Sequence, residues 1–183
     1  MAFPKGYAEW VARRRVAAGF AVAAVFLYLA QPTERSLLLG LAVGIAGILL
    51  RGWAAGHLAK YESLSTSGPF AHTRNPLYLG TLLVGAGFAI AGAHIAIGAL
   101  LIAFFLLFYL PVIEEEEKYL AAKFPPYKEY CERVPRLWPK LRPQCMTDAG
   151  FQSRLYRRNR EYQALAGFIL GMAILAAKHI YLL

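Results

Sequence analysis

The sequence predicts an all-α integral membrane protein of about five transmembrane helices. Three observations predict it. Of 183 residues, 58% are hydrophobic and only 17% charged, with a mean hydropathy of +0.41. A soluble domain of this length buries one core and keeps a charged surface. The apolar residues come in blocks, near the roughly 20 residues that a helix needs to cross hydrocarbon. Lys and Arg gather in alternate connections between those blocks. Helices are the default over strands, because an unclosed strand in lipid leaves its backbone groups unpaired.

The first span is expected over 16–30. "RRR" (Arg13–Arg15) precedes it, as in a signal peptide, but no small-x-small cleavage site follows "FLYLA". It reads as an uncleaved span. "QPTER" (Gln31–Arg35) makes a turn. The second span covers 36–59, with Arg51 and His57 marking last turns that leave the hydrocarbon. The third covers 77–91 and the fourth 95–113. Only "GAH" (Gly92–His94) separates them, so they form a tight helical hairpin. The fifth covers 164–183, after a polar segment over 114–163 that reads as a cytosolic helical lid. Gly40, Gly44, Gly47, Gly85 and Gly87 recur along the second and third spans, where small residues let helix backbones approach.

If five helices alternate, nearly all Lys and Arg fall on one side. The other side holds Arg35, His94 and Lys178. The bias sets the N-terminus in the cytoplasm and the C-terminus outside, in a bacterial or archaeal cytoplasmic membrane. The net charge of +9 therefore faces anionic headgroups rather than nucleic acid, for which no binding signature exists. Cys131 and Cys145 lack CxxC or histidine neighbours, so neither a disulfide nor a metal site is expected. The C-terminal "HIYLL" has no prenylation cysteine.

Two stretches on the cytoplasmic side carry candidate chemistry. In "TRNPLYLG", Pro76 suits the first turn of a helix and Asn75 its N-cap. Free N–H groups there could receive an anionic group. Arg74 and Tyr78 are left over, as interfacial anchors or as ligand contacts. In "PVIEEEEKYLAAKF", Glu114–Glu117 end an apolar helix. Successive residues lie about 100° apart, so the four cannot share a face. One or two must point into the protein, and ionisable groups at a membrane boundary are functional candidates. Farther on, Pro125 and Pro126 break the helix. Tyr127, Tyr130 and Trp138 then form an amphipathic stretch, either a membrane-surface lid or an interfacial anchor.

"SLSTSGPFAHTRNPLYLG" followed by "EEEEKYLAAKFPPYKEYCERVPRLWP" resembles the isoprenylcysteine carboxyl methyltransferase family, within a wider group of membrane phospholipid methyltransferases. The likeness runs from about Leu41 to Pro139. Its elements are G-P-[YF]-x-x-x-R-[HN]-P-x-Y-x-G, then an acidic pair seven and eight residues before a phenylalanine, then Y-x-x-Y-x-x-x-V-P. The resemblance implies S-adenosylmethionine as cofactor and no Rossmann domain, in keeping with the missing G-x-G-x-x-G. It also implies a lipophilic substrate entering from the bilayer, past residues such as Trp53 and Met172 if these are not core packing.

Carried over by position, cofactor contacts fall on Glu62, Ser63, Leu64, Ser65, Phe70, Asn75, Pro76, Leu77, Tyr78 and Glu116. Arg74, Tyr78 and Glu116 are the candidates for catalysis, a reaction driven by orientation with a neutral leaving group that requires no metal. Glu116 would hold the cofactor's ammonium, and the helix start at Asn75 its carboxylate. Two departures stand out. Val112 occupies the position of the family's substrate arginine, and "FPPY" replaces F-G-x-x-Y. Phospholipid amine methylation is the alternative within the class. A non-catalytic lipid-binding membrane protein is the alternative outside it. A sterol-reductase relative would want more spans and a nicotinamide site.

Overall fold

In the computed structural model, which describes residues 5–60, 62–145 and 149–182, every regular element is helical. Helix α1 (Lys5–Leu29) starts well before Val16 and takes in the exposed Arg13 and Arg14. Helix α2 (Glu34–Ala55) begins at a capping box. The Ser36 N–H donates to Thr33 Oγ1 at 3.2 Å and the Thr33 N–H to Ser36 Oγ at 2.9 Å, so two donors that a helix start leaves open are satisfied. Its end corrects the expected boundary: α2 stops at Ala55, not Ala59. The physical reason is remote in sequence. Asn159 Nδ2 donates to the carbonyls of Ala55 (2.9 Å) and Leu58 (3.0 Å), taking oxygens that a further turn would have used.

Helix α3 (Pro76–Ala91) and helix α4 (Ile95–Phe104) flank the Gly92–His94 turn. A π-helical turn (Phe105–Tyr109) joins α4 to α5 (Leu110–Lys123) without a break. The sequence explains the π turn. Pro111 has no N–H to give Leu107, four residues back, so the ladder must adjust. The freed Leu107 carbonyl accepts from Tyr7 Oη at 2.9 Å, which pins α1 to this helix. Short helices α6 (Tyr127–Arg133) and α7 (Ser153–Arg158) precede α8 (Tyr162–Leu182). Leu183, the last residue of the expected fifth span, lies outside the described residues.

The protein is an all-α membrane protein. Among the described residues, three helical stretches are long and apolar enough to cross a bilayer: Glu34–Ala55, Ile95–Lys123 and Tyr162–Tyr181. The apolar parts of the other two, Ala17–Leu29 and Pro76–Ala91, are shorter. At 1.5 Å per residue the 16 residues of α3 reach about 24 Å, less than the hydrocarbon thickness. Helix α3 is instead held along its length by α2.

Glycines make that contact. A Cβ on Gly40 would lie 2.4 Å from the Gly87 carbonyl, and one on Gly47 2.7 Å from the Gly80 carbonyl. Gly44 receives the Phe168 ring of α8 and also backs onto Gly87. One expectation is corrected here: Gly85 faces open space, and Gly80 occupies the interface in its place. The core behind this pair joins Phe26, Ala91, Ile97, Phe168, Met172 and Leu175. Met172 is thus core packing, whereas Trp53 is 45% exposed.

The connections sort to two ends. At one end the Gln31 N–H donates to the Gly92 carbonyl (2.8 Å), Lys178 Nζ to the Tyr28 carbonyl (3.2 Å), and His179 Nδ1 sits 2.9 Å from the Pro32 carbonyl. The opposite end gathers the last turn of α2, the first turn of α3, and segments 56–60, 62–75, 124–145 and 149–161. The candidate residues lie there.

Candidate functional site

The chain leaving α2 is shaped by Gly68. Its φ of +55° lies in the left-handed region, and a Cβ there would stand 2.7 Å from the His57 ring. A 3₁₀ turn over Gly68–Ala71 follows, with Phe70 buried and its carbonyl accepting from Tyr130 Oη at 2.7 Å. A strap, residues 135–144, then runs alongside 71–75. The Arg74 N–H donates to the Pro135 carbonyl (2.9 Å), the Lys140 N–H to His72 (3.1 Å) and the Gln144 N–H to Ala71 (2.8 Å). Thr73, almost fully buried, gives its hydroxyl to the strap carbonyls of Arg136 and Leu137.

Between this layer and helices α2, α3 and α5 lies a cavity of about 340 Å³. That is within the range of small-molecule sites. Of the residues picked from sequence, Ser63, Leu64, Ser65, Phe70, Arg74, Leu77, Tyr78 and Glu116 line it together. Three others do not. Glu62 points to solvent and pairs with Arg158 at 2.6 Å, which holds its carboxyl below the usual range. Pro76 is buried in the helix start. Asn75 corrects the expected cap. It occupies the N-cap position, but its side chain makes no cap hydrogen bond. Nδ2 donates instead to Glu117 Oε1 (3.3 Å) and the Arg136 carbonyl (3.1 Å). Two better acceptors outcompete the helix end. Asn75→Ala is accordingly expected to lower stability by about 1–2 kcal/mol, through acceptors left unpaired. A thermal melt in detergent reads this as a drop in midpoint.

The four glutamates divide as helical geometry requires, because α5 continues to Lys123. Glu115 is exposed and pairs with Lys118. Glu117 binds Arg136 through both Nε and Nη2 and lies 3.5 Å from Arg74 Nη2. Glu114, 7% exposed, sits 3.8 Å from Arg136. Glu116 turns into the cavity, where among the described residues its side chain makes no ion pair or hydrogen bond. Hydrogen bonding to Glu117 raises the Arg136 guanidinium still further, so Arg136 stays charged. Burial pushes the Tyr127 and Tyr130 phenols well above their ordinary value, so both stay neutral. Arg74 Nε is buried and its N–H has no hydrogen-bond partner among the described residues.

Sequence reasoning missed several cavity residues. Tyr109 and Tyr119 join Tyr78 in its lining, as do Tyr127 and Tyr130, which the sequence marked only as part of a lid or interfacial anchor. Tyr109 is aimed by the π turn, its ring 5.9 Å from that of Tyr78 and nearly perpendicular to it. No local motif announces this, although Pro111 inside an apolar helix was a usable signal. Arg51 and Thr81 form the wall toward the bundle. Arg51 Nε and Nη2 fork onto Glu161 at 3.0 and 2.8 Å, and Nη1 meets Thr81 Oγ1. An arginine in an apolar run was the signal there, since such residues are rarely idle. Its partner, 110 positions away, was not legible.

Residues 36–126, about half of the chain, match the model of the phospholipid methyltransferase family. Two curated bacterial proteins are similar. The cobalt-zinc-cadmium resistance protein CzcN of Cupriavidus metallidurans is 36% identical over 107 residues, covering 55% of this chain and 50% of the relative. The nickel-cobalt-cadmium resistance protein NccN of Alcaligenes xylosoxydans xylosoxydans is 32% identical over 107 residues, with the same coverage. The chain thus spans about half the length of the curated relatives that it matches. No solved structure matches.

Proposed function

We propose that this protein is an S-adenosylmethionine-dependent membrane methyltransferase acting on a lipophilic acceptor, in the manner of the isoprenylcysteine carboxyl methyltransferases. The reading starts from the phospholipid methyltransferase match, whose residues 36–126 supply α2, α3 and Glu116. The observation that carries it is one cavity that holds, among the described residues, a carboxylate with no pair, a buried arginine N–H with no partner, and five tyrosines. Those groups suit a zwitterion that also bears a sulfonium. Glu116 would hold the ammonium and Arg74 Nε the carboxylate, each by a charge-assisted hydrogen bond. The rings of Tyr78 and Tyr109 would face the cation.

When bound, the cofactor supplies a methyl group on a sulfonium, with a neutral thioether as leaving group. The chain's own residues then orient the acceptor in line and exclude water. Asn75 acts from behind the cavity, through Glu117 and the strap. Beyond Glu116 and Arg74, the charged side chains among the described lining residues are the cationic Arg51, itself paired with Glu161, and Lys60. That favours an acceptor that is anionic, such as a carboxylate, over an ammonium that must first lose a proton. Ethanolamine-type phospholipid methylation is the second reading, favoured by the description of the matching family. The Lys and Arg bias supports a cytoplasmic cavity mouth and N-terminus, with the C-terminus outside.

Titration calorimetry on detergent-solubilised protein tests the reading. Wild type should bind S-adenosylhomocysteine, and Glu116→Gln should bind at least about tenfold more weakly at an unchanged melting midpoint, the loss of one charge-assisted hydrogen bond. Absence of binding by wild type would leave a non-catalytic lipid-binding protein. Tracing labelled methyl into carboxylate or phospholipid headgroup fractions separates the two acceptors.

A further inference from the structure

The strap turns one face to residues 71–75 and leaves the other outward. Before it, Tyr127 and Tyr130 of α6 are 4% and 6% exposed and wall the cavity. Within it, Trp138 is 82% and Leu141 99% exposed. Large apolar side chains held out to this degree have no partner among the described residues. We propose that Trp138 and Leu141 insert into the anionic headgroup layer of the leaflet at this end of the bundle, with Lys140 and Arg142 pairing to lipid phosphates.

The level of the strap in the fold places these residues at the boundary. Its carbonyl at Lys140 lies 2.7 Å from His72 Nδ1. The His72 ring is 6.4 Å from that of Trp53, two residues before the end of α2. The strap also lies directly against 71–75, which lead into the first turn of α3. Trp138 and Leu141 are therefore level with the ends of two bundle helices, one of them long and apolar enough to cross a bilayer. That is the depth at which tryptophan concentrates in membrane proteins.

Charge selects the lipid. Arg133 is taken by Glu129 and Arg136 by Glu117, so neither is left to lipid. Lys140 and Arg142 are exposed and form no ion pair among the described residues; Lys140 Nζ donates to the Arg133 carbonyl (2.9 Å) and to Gln144 Oε1 (3.1 Å), neutral acceptors that leave its charge uncompensated. Each basic residue near an anionic surface adds to the attraction. The backbone bonds to 71–75 hold the strap rigid, so insertion requires no folding step.

The test uses the full chain with Trp10→Phe and Trp53→Phe, leaving Trp138 as the only tryptophan. The protein is reconstituted into vesicles whose phosphatidylcholine or phosphatidylglycerol carries bromine on the upper acyl chain. The expected result is strong quenching of Trp138 in phosphatidylglycerol, at least about twofold weaker quenching in phosphatidylcholine, and loss of that difference in Lys140→Gln/Arg142→Gln. Efficient quenching by aqueous iodide with none by bromolipid would overturn the insertion. Equal quenching in both lipids would overturn the choice of an anionic partner. None of these readouts depends on cofactor or methyl transfer.

Discussion

Glu161→Ala is expected to cost about 3 kcal/mol of stability and to loosen the cavity wall. The carboxylate, 10% exposed, accepts two hydrogen bonds from Arg51, whose side chain is 21% exposed. Deleting one partner of a buried pair typically costs 3–5 kcal/mol, because the other charge stays buried without compensation. The residual exposure of Arg51 to the cavity puts this pair at the low end. Arg51 also bonds Thr81 Oγ1 and the Leu77 carbonyl, so the loss reaches α3. Arg51→Leu should cost a similar amount. The double variant should be more stable than either single one, since no lone charge remains. Thermal or denaturant unfolding in detergent measures all three. Additive losses in the double variant would refute the coupling.

Gly47→Val is expected to be at least as damaging, at about 3 kcal/mol or more. The first added carbon would meet the Gly80 carbonyl and the Val84 nitrogen, each at 2.7 Å. Both are backbone atoms inside a helix, so no rotamer change relieves the clash and α2 must move off α3. Overpacking by a methylene usually costs 1–3 kcal/mol, more where the backbone itself must shift. Gly85→Ala is the internal control. Its Cβ meets nothing within 4 Å, so helix propensity alone should make it neutral or stabilising by up to about 1 kcal/mol. A melting midpoint that falls equally in both variants would contradict the interface described here.

The helical hairpin was legible because its two apolar runs are separated by only three residues, and the acidic run because four glutamates in sequence cannot share a helix face. Which glutamate faces inward was not legible from composition. That depends on the phase of α5, and the phase is shifted by the π turn before Leu110 and fixed by Arg136 taking Glu117. Asn75 shows the opposite failure. Its type and its position before Pro76 matched an N-cap, yet Glu117 and the strap carbonyl of Arg136 offered acceptors that no local reading could supply. Gly85 and Gly80 exchanged roles for a related reason: which small residue lies on the interface depends on how α2 and α3 are rotated about their axes.

By itself the sequence determined the membrane character, the helical elements and the two polar stretches that share one end of the bundle. These follow from blocks of hydrophobicity, from charge bias and from residue types at helix starts, all of which are local. Only the tertiary structure decided the composition of the cavity. It brought Arg51 from α2, Tyr109 from a π turn and Glu116 from α5 to one space, and it anchored Arg51 with Glu161 from the far end of the chain. Such placements depend on the rotation and offset of packed helices, which are set by side-chain fit between segments distant in sequence.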